Sequence, residues 1–234
     1  MVLTSHDPPA ASASWHTVKR EALEHHHVVS GSVQGEAMKI AIQMARPDDA
    51  PKLAELMNIA GEGIPAYLWE LMAGPGEDVL AFGARRVARQ EGGFSYTNAH
   101  IALCDGAMAG MLLSYRLPDP HDTGPLDELP SVVRPLMELE ALVPGSWYIN
   151  AVATDAGYRG QGIGRKLMAW AEQLAGVAKA DALSLIVAEE NVGARRLYQG
   201  LGYQDISRRP VIPFPRCPHS GDWVLMKKQM AVDT

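Results

Sequence analysis

Seven residues, Tyr158-Arg159-Gly160-Gln161-Gly162-Ile163-Gly164, stand between a strand-like run and an amphipathic helical run. Glycine lets backbone N–H groups come close to a ligand, and the head of a helix adds partial positive charge. Those two properties suit the holding of a pyrophosphate. A dinucleotide-binding fingerprint would require glycine where Arg165 stands, and a Walker loop would require a Gly-Lys-Ser/Thr that the chain lacks. A glycine turn used only for packing is the plainer reading of the same residues.

A second group of residues bears on that choice. Leu185-x-Val187 leads to Asn191, then to Ala194, Leu197-Tyr198 and Gly202-Tyr203, about one strand-helix unit after the glycine loop. Taken together, the two blocks resemble the GCN5-related N-acetyltransferase (GNAT) superfamily. The first matches its Gln/Arg-x-x-Gly-x-Gly/Ala motif at Arg159 to Gly164, and the second its Asn…Ala…Leu-Tyr…Gly-aromatic block. The resemblance is tight from Trp147 to Ser207 and looser from Met38 to Arg116, where Ala45-Arg46-Pro47-x-Asp49 is a common family opening. It does not reach residues 1–37.

The resemblance implies an acyl-donor site for acetyl-CoA and direct transfer of its acetyl group to a primary amine. Pantetheine would pair with backbone along the fourth strand, at Val152, Ala153 and Thr154. The pyrophosphate would lie on the amides of Gly160, Gln161, Gly162, Ile163, Gly164 and Arg165, beside Arg159. Asn191 would hydrogen-bond the pantetheine arm, and the Tyr198 hydroxyl would face the sulfur as the catalytic acid. The implied fold is a mixed, largely antiparallel twisted α/β sheet of six to seven strands flanked by helices. Its fourth and fifth strands splay apart to admit the thioester, and the amine comes from the opposite side.

Such a site has definite chemical needs. An alkyl ammonium of pKa about 10.4 is neutral in only about one molecule in 10³ at pH 7, a handicap of roughly 4–5 kcal/mol. The amine therefore needs a base or a water chain. A thiol of pKa about 8.5 is a fair leaving group, so an acid at Tyr198 contributes within the roughly 10²- to 10⁴-fold usual for one proton transfer. The oxyanion wants a donor, for which a backbone N–H between Val152 and Thr154 is the natural candidate. The base departs from family precedent. The fifth-strand glutamate of the ribosomal-protein alanine acetylases falls on Ile186, and Trp147 to Thr154 carries no carboxylate. Glu62, Glu70, Glu138, Glu140 or water remain, and each acid also reads as a solvated surface charge.

The elements that must position these groups are visible in the spacing. Met38–Met44 reads as a strand; Asp48 or Asp49 caps the next helix, Pro51 lies in its first turn, and Leu53, Leu56, Met57 and Ala60 recur at helical spacing. A helical patch after Pro65 places Leu68, Leu71 and Met72 on one side, and another spans Val79–Gln90. Phe94–Leu103 and Met108–Arg116 read as strands joined by Asp105-Gly106, a hairpin signal. Trp147–Thr154 is a strand, and Ile163, Leu167, Trp170, Ala171 and Leu174 make a helix face. Leu183–Val187, Tyr203–Ser207 and Trp223–Lys227 complete the sheet, and a helix from Asn191 to Gly202 lies between the first two of these. The long connector from Leu117 to Gly145 holds a helical stretch at Pro135–Leu142. Between Leu117 and Glu140 it carries Asp119, Asp122, Asp127, Glu128, Glu138 and Glu140 against Arg134. A connector of that length covers or binds something, and its acidity favours a cationic acceptor such as a polyamine, an aminoglycoside or a lysine side chain.

Composition limits the alternatives. The 234 residues are 47% hydrophobic and 21% charged, the profile of a globular chain, and the net charge of -6 opposes sequence-independent nucleic-acid binding. Two cysteines make no disulfide framework, no run approaches a membrane span of about 18 apolar residues, and no secretory signal is evident. The expectation is a cytoplasmic acetyltransferase domain over residues 38–234 behind an extension of residues 1–37. It has no nucleic-acid or membrane partner and takes a small-molecule amine or peptide as acceptor; relatives that look like this are often dimers, so a homodimer fits the resemblance. The adjacent side chains of His25-His26-His27 set up no ligand geometry, and Cys217-Pro218-His219 suggests metal ligation but offers two residues without partners, which are not a site. Tyr67 and Trp69 either line an acceptor pocket or pack a helix, and Arg195-Arg196 is a helix face from which one arginine could reach a 3′-phosphate. The rivals are acylation of a protein N-terminus, use of a longer acyl-CoA, and a non-catalytic module that senses CoA.

Overall fold

Backbone pairing gathers the strands into one sheet in the computed structural model, which describes residues 39–230. The strands are β1 (Ile40–Met44), β2 (Ala99–Cys104), β3 (Ala107–Arg116), β4 (Trp147–Thr154), β5 (Ala182–Ala188), β6 (Gln204–Pro210) and β7 (Asp222–Gln229), ordered β1-β2-β3-β4-β5-β7-β6. Each neighbouring pair is antiparallel except β4 and β5, which are parallel. A parallel pair needs a crossover, here the helix Ile163–Val177 (α5). The other helices are α1 (Ala50–Ala60), α2 (Ile64–Met72), α3 (Val79–Val87), α4 (Arg134–Glu140) and α6 (Val192–Gly200). Among the described residues no helix is long and apolar enough to cross a membrane.

Side-chain alternation puts a core on each side of the sheet. Ile163, Leu167, Met168, Ala171 and Ala175 form the buried stripe of α5, packed with Leu112, Ile149, Leu185 and Val224. Burial of one such leucine is worth about 1.5–3 kcal/mol. A second cluster joins Leu53, Leu56 and Met57 of α1 to Ile101, Met111, Leu113, Ala151 and Ala153. A third holds Leu139, Tyr148, Phe214, Trp223 and Leu225, where the 117–145 connector meets the β6–β7 loop.

The expected mixed, largely antiparallel sheet is present, and the Asp105-Gly106 hairpin forms with both φ angles positive, 48° and 86°. Three local expectations are corrected. Strand β2 begins at Ala99 because Ser95 accepts from the Thr97 N–H at 3.1 Å and closes a 3₁₀ turn over Tyr96–Asn98. Asp49 does not cap α1 with its side chain; its Oδ2 accepts from the Arg46 N–H at 2.7 Å and closes the preceding 3₁₀ turn Pro47–Asp49. The buried face of α2 is Ile64, Pro65 and Trp69, whereas Leu71 and Met72 are 55% and 40% exposed. Trp69 lies so close over Gly83 of α3 that a Cβ there would come within 2.4 Å of the indole, and this contact sets the rotation of α2.

Candidate active site

The sheet opens where its parallel pair ends. β4 and β5 are in register only at Trp147–Leu183, Tyr148–Ser184 and Ile149–Leu185. Beyond that point β4 stays on β3 and β5 stays on β7. The divergence begins at a bulge: Leu113 partners Ala151 while Ser114 partners Ile149, so Asn150 is the extra residue. A bulge bends its strand and increases its twist. A cavity of about 590 Å³ fills the gap, and Val152, Ala153, Thr154, Ile186 and Val187 face into it. The backbone edges along the gap are thus free to pair with an extended ligand.

One end of the cavity is closed by the glycine loop. Gly160 and Gly162 have φ of 75° and 77°, conformations that favour glycine, and no atom lies within 4 Å of where their Cβ atoms would be. Gly162 is the N-cap of α5, so the first-turn amides have no intrahelical carbonyl to pair with. The loop is anchored by Asp155, whose Oδ1 accepts from the Gly157 N–H at 3.0 Å and whose Oδ2 pairs with Lys52 at 2.8 Å. Hydrogen bonding to Lys52 is the main cause that lowers the Asp155 carboxyl pKa, and the bond to Asp155 correspondingly raises that of Lys52. Arg159 and Gly160 line the cavity itself. Gln161, Gly162 and Arg165 are exposed and Gly164 is half-buried, whereas the Ile163 side chain is in the core and leaves only its amide to a ligand.

The opposite walls carry the polar groups. Asn191 caps α6, its Oδ1 accepting from the Ala194 N–H at 3.1 Å, and its Nδ2 donates to Glu62 Oε1 at 2.7 Å. Glu62 sits in the α1–α2 turn with φ of 53°. Its Oε2 is against His219 Nε2, and His219 Nδ1 is 3.0 Å from Glu190 Oε2; both are close contacts without the alignment of a hydrogen bond. Glu190 Oε1 in turn accepts from the N–H groups of Ser220 and Gly221, each at 3.1 Å. Those backbone bonds, that of Ser220 first, hold the Glu190 carboxyl below its usual range. Tyr198 is buried on α6 and lines the cavity, with the Tyr203 ring 6.0 Å from its own. Burial, and secondarily the charge of Glu62, push its hydroxyl pKa up, so it stays protonated and able to donate.

Val152, Ala153, Thr154, Arg159, Gly160, Asn191 and Tyr198 thus converge on one cavity, with the rest of the glycine loop at its mouth. Of the four acids considered as bases, only Glu62 lines it. Glu70 pairs with Arg216 at 2.7 Å and Glu138 with Arg209 at 2.5 Å. Glu140 is buried with its carboxyl pushed up to about 7, a desolvation effect that a hydrogen bond from Tyr148 offsets in part. Tyr67 packs on Phe214 at 5.3 Å and Trp69 is in the core, so neither lines the cavity. Arg195 pairs with Asp205 at 2.6 Å, and Arg196 is exposed. His25-His26-His27 lies outside the described residues. Sequence reasoning missed His219 and Glu190; the sole signal was the Cys217-Pro218-His219 run, which suggests metal chemistry and gives no hint of Glu62.

The model of the acetyltransferase (GNAT) family matches residues 67–203, more than half of the chain. The chain belongs to that family. As a GNAT acetyltransferase it shares its fold with many solved structures. A Drosophila melanogaster polyamine N-acetyltransferase, which forms N-acetylagmatine, is similar at 16% identity and a TM-score of 0.60, covering 82% of this chain and 100% of that one. An N-acetyltransferase from Staphylococcus aureus Mu50 gives 19% and 0.53, with 80% and 99% covered. The ribosomal-protein-S18-alanine N-acetyltransferase of Escherichia coli gives 18% and 0.52, with 83% and 97% covered. No curated protein sequence matches the chain.

Proposed function

We propose that this GNAT acetyltransferase moves an acetyl group from acetyl-CoA to a cationic primary amine, with Tyr198 as acid and Glu62 as base. The observation that carries the reading is that one cavity is bounded by both residues, at the point where β4 and β5 part. The residues present fit the donor. The unpaired edge at Val152 to Thr154 suits an extended amide-bearing arm, and the open, positive-φ head of α5 suits a diphosphate held by the amides of Gly160 to Arg165. Arg159 adds a fixed positive charge there. Asn191 keeps a second N–H on Nδ2 for the arm even with Glu62 bound.

Acetyl-CoA, when bound, supplies a thioester whose C–S bond breaks as the C–N bond to the amine forms. The chain's own residues handle the protons. Glu62 takes one from the incoming ammonium, which offsets part of the roughly 4–5 kcal/mol handicap of that amine at pH 7. Tyr198 gives one to the departing sulfur and regains one from the second proton that the nitrogen sheds as the amide forms, while a β4 backbone N–H faces the negative charge that grows on the acetyl oxygen.

The acidic connector supports a cationic acceptor less directly than its composition suggests, because Glu138 is paired and Glu140 is buried. The stronger support is local: Glu62 lines the cavity and Glu190 stands beside it through His219. The polyamine acceptor of the Drosophila structure is of the same chemical kind. Free-thiol release from acetyl-CoA across a panel of polyamines, aminoglycosides and peptides tests the reading. Turnover should concentrate on polycationic amines; no thiol release with any of them, together with no heat on calorimetric titration with CoA, would sink it.

A further inference from the structure

The structure assigns His219, a residue of the β6–β7 loop, to a proton path that resets Glu62 after each turnover. The path uses the two contacts of the ring, Glu62 Oε2 with His219 Nε2 and His219 Nδ1 with Glu190 Oε2 at 3.0 Å, and a turn of the imidazole must align each as a hydrogen bond before the proton moves. This inference rests on the reading of Glu62 as the base. A carboxylate that has accepted the ammonium proton must lose it before the next amine is deprotonated. Glu62 is poorly placed to do so alone: its side chain is 14% exposed, and its other oxygen is already held by Asn191.

An imidazole is suited to the task because one ring nitrogen can accept a proton as the other gives one up. No bond to carbon forms or breaks. One proton enters at Nε2, one leaves from Nδ1, and Glu190, at 42% side-chain exposure, passes it to water. The groups around the ring are few. Glu62 comes from the α1–α2 turn, Glu190 from the β5–α6 turn, and the Trp223 ring of β7 stands 6.2 Å away at a steep angle. The Cys217 thiol donates to the His219 carbonyl at 3.2 Å and holds the loop. Glu189, nearby, is neutralised by Arg208 at 2.5 Å. The same contacts could merely pin the β6–β7 loop to the sheet, so the test must separate the two roles.

The full chain is assayed as wild type, His219→Ala, His219→Gln and Glu62→Gln, with acetyl-CoA and the best amine from the panel. If the path operates, both His219 variants lose about a hundredfold in kcat at neutral pH, the low end of the range for one proton transfer. Amine KM and the calorimetric Kd for CoA change little, and added imidazole restores part of the Ala variant's rate. A merely structural role predicts lower melting temperature and weaker CoA binding with no imidazole rescue, and that result overturns the proposal. So does kcat within twofold of wild type in both variants while Glu62→Gln is impaired. Unimpaired Glu62→Gln removes the base on which the path depends, and a wild type that turns over no amine removes the reading beneath both.

Discussion

Asn191 links the helix that carries Tyr198 to the turn that carries Glu62: one end of its amide caps α6 at Ala194, and the other holds Glu62 Oε1 at 2.7 Å. Cap and carboxylate contact are separable by substitution. Asn191→Ala loses both, and the missing cap alone costs about 1 kcal/mol, equivalent to roughly 2–4 °C in Tm for a chain of this size. Asn191→Ser keeps a good cap and drops the donor to Glu62. The Ser variant should therefore melt closer to wild type while losing as much kcat as Ala, as thermal melts beside steady-state rates will show. Equal kcat losses are the decisive feature; full activity in the Ser variant would mean that Glu62 needs no positioning.

Tyr198→Phe keeps the ring in the core and removes only the hydroxyl. If that hydroxyl protonates the leaving thiolate, kcat should fall by about 10²-fold, with the heat of CoA binding intact. A protein that only senses CoA would lose nothing. The hydroxyl pKa is raised by burial and by Glu62, so its ionisation should not appear as an alkaline fall in kcat below about pH 10, the ordinary tyrosine value. A rate that drops near pH 8 in wild type but not in the Phe variant would contradict this assignment.

Glu140 gives a pH-dependent stability of unusual sign. Its carboxyl is raised from 4.5 to about 7, first by burial, and His121 Nε2 lies 3.9 Å away without a compensating hydrogen bond. Between those two values the unfolded chain releases this proton and the folded chain keeps it. Stability due to Glu140 is then fully present below about pH 4.5 and declines until pH passes 7, by an upper limit of about 3 kcal/mol. Carboxyls held low, such as Asp155 and Glu190, act in the opposite direction. The difference between wild type and Glu140→Gln isolates the effect. Denaturant unfolding at pH 5 and pH 8 should show the Gln variant gaining on wild type as pH rises; a constant difference would mean that the carboxyl ionises normally.

How much of this was legible in the residues depends on the range of the interaction. The Asn191 cap, the Asp105-Gly106 hairpin and the α5 stripe are set by neighbours within a few positions, and spacing reveals them. The gap between β4 and β5 was available only through family resemblance, because its cause is a register shift at Asn150 against a strand more than thirty residues earlier. The rotation of α2 hides for a similar reason, since Trp69 answers to Gly83 on another helix. His219 was least legible of all: its partners come from the α1–α2 and β5–α6 turns, and no local pattern anticipates that meeting.

Gly110 ties the packing of the sheet to the proposed donor site. A Cβ there would lie 2.6 Å from the Ala153 carbonyl oxygen and 3.1 Å from Ile163 Cγ2, so an alanine must displace β4 or the head of α5. Overpacking of this kind costs about 1–3 kcal/mol, and both elements that must shift border the cavity. Gly200, near the end of α6, has nothing within 4 Å of its Cβ position and is the natural control. Gly200→Ala should be neutral or more stable by up to about 1 kcal/mol, from helix propensity alone. Gly110→Ala should both melt lower and bind CoA more weakly by calorimetry. If it melts lower but keeps the wild-type Kd for CoA, β4 does not carry the donor and the pantetheine arm must be placed elsewhere.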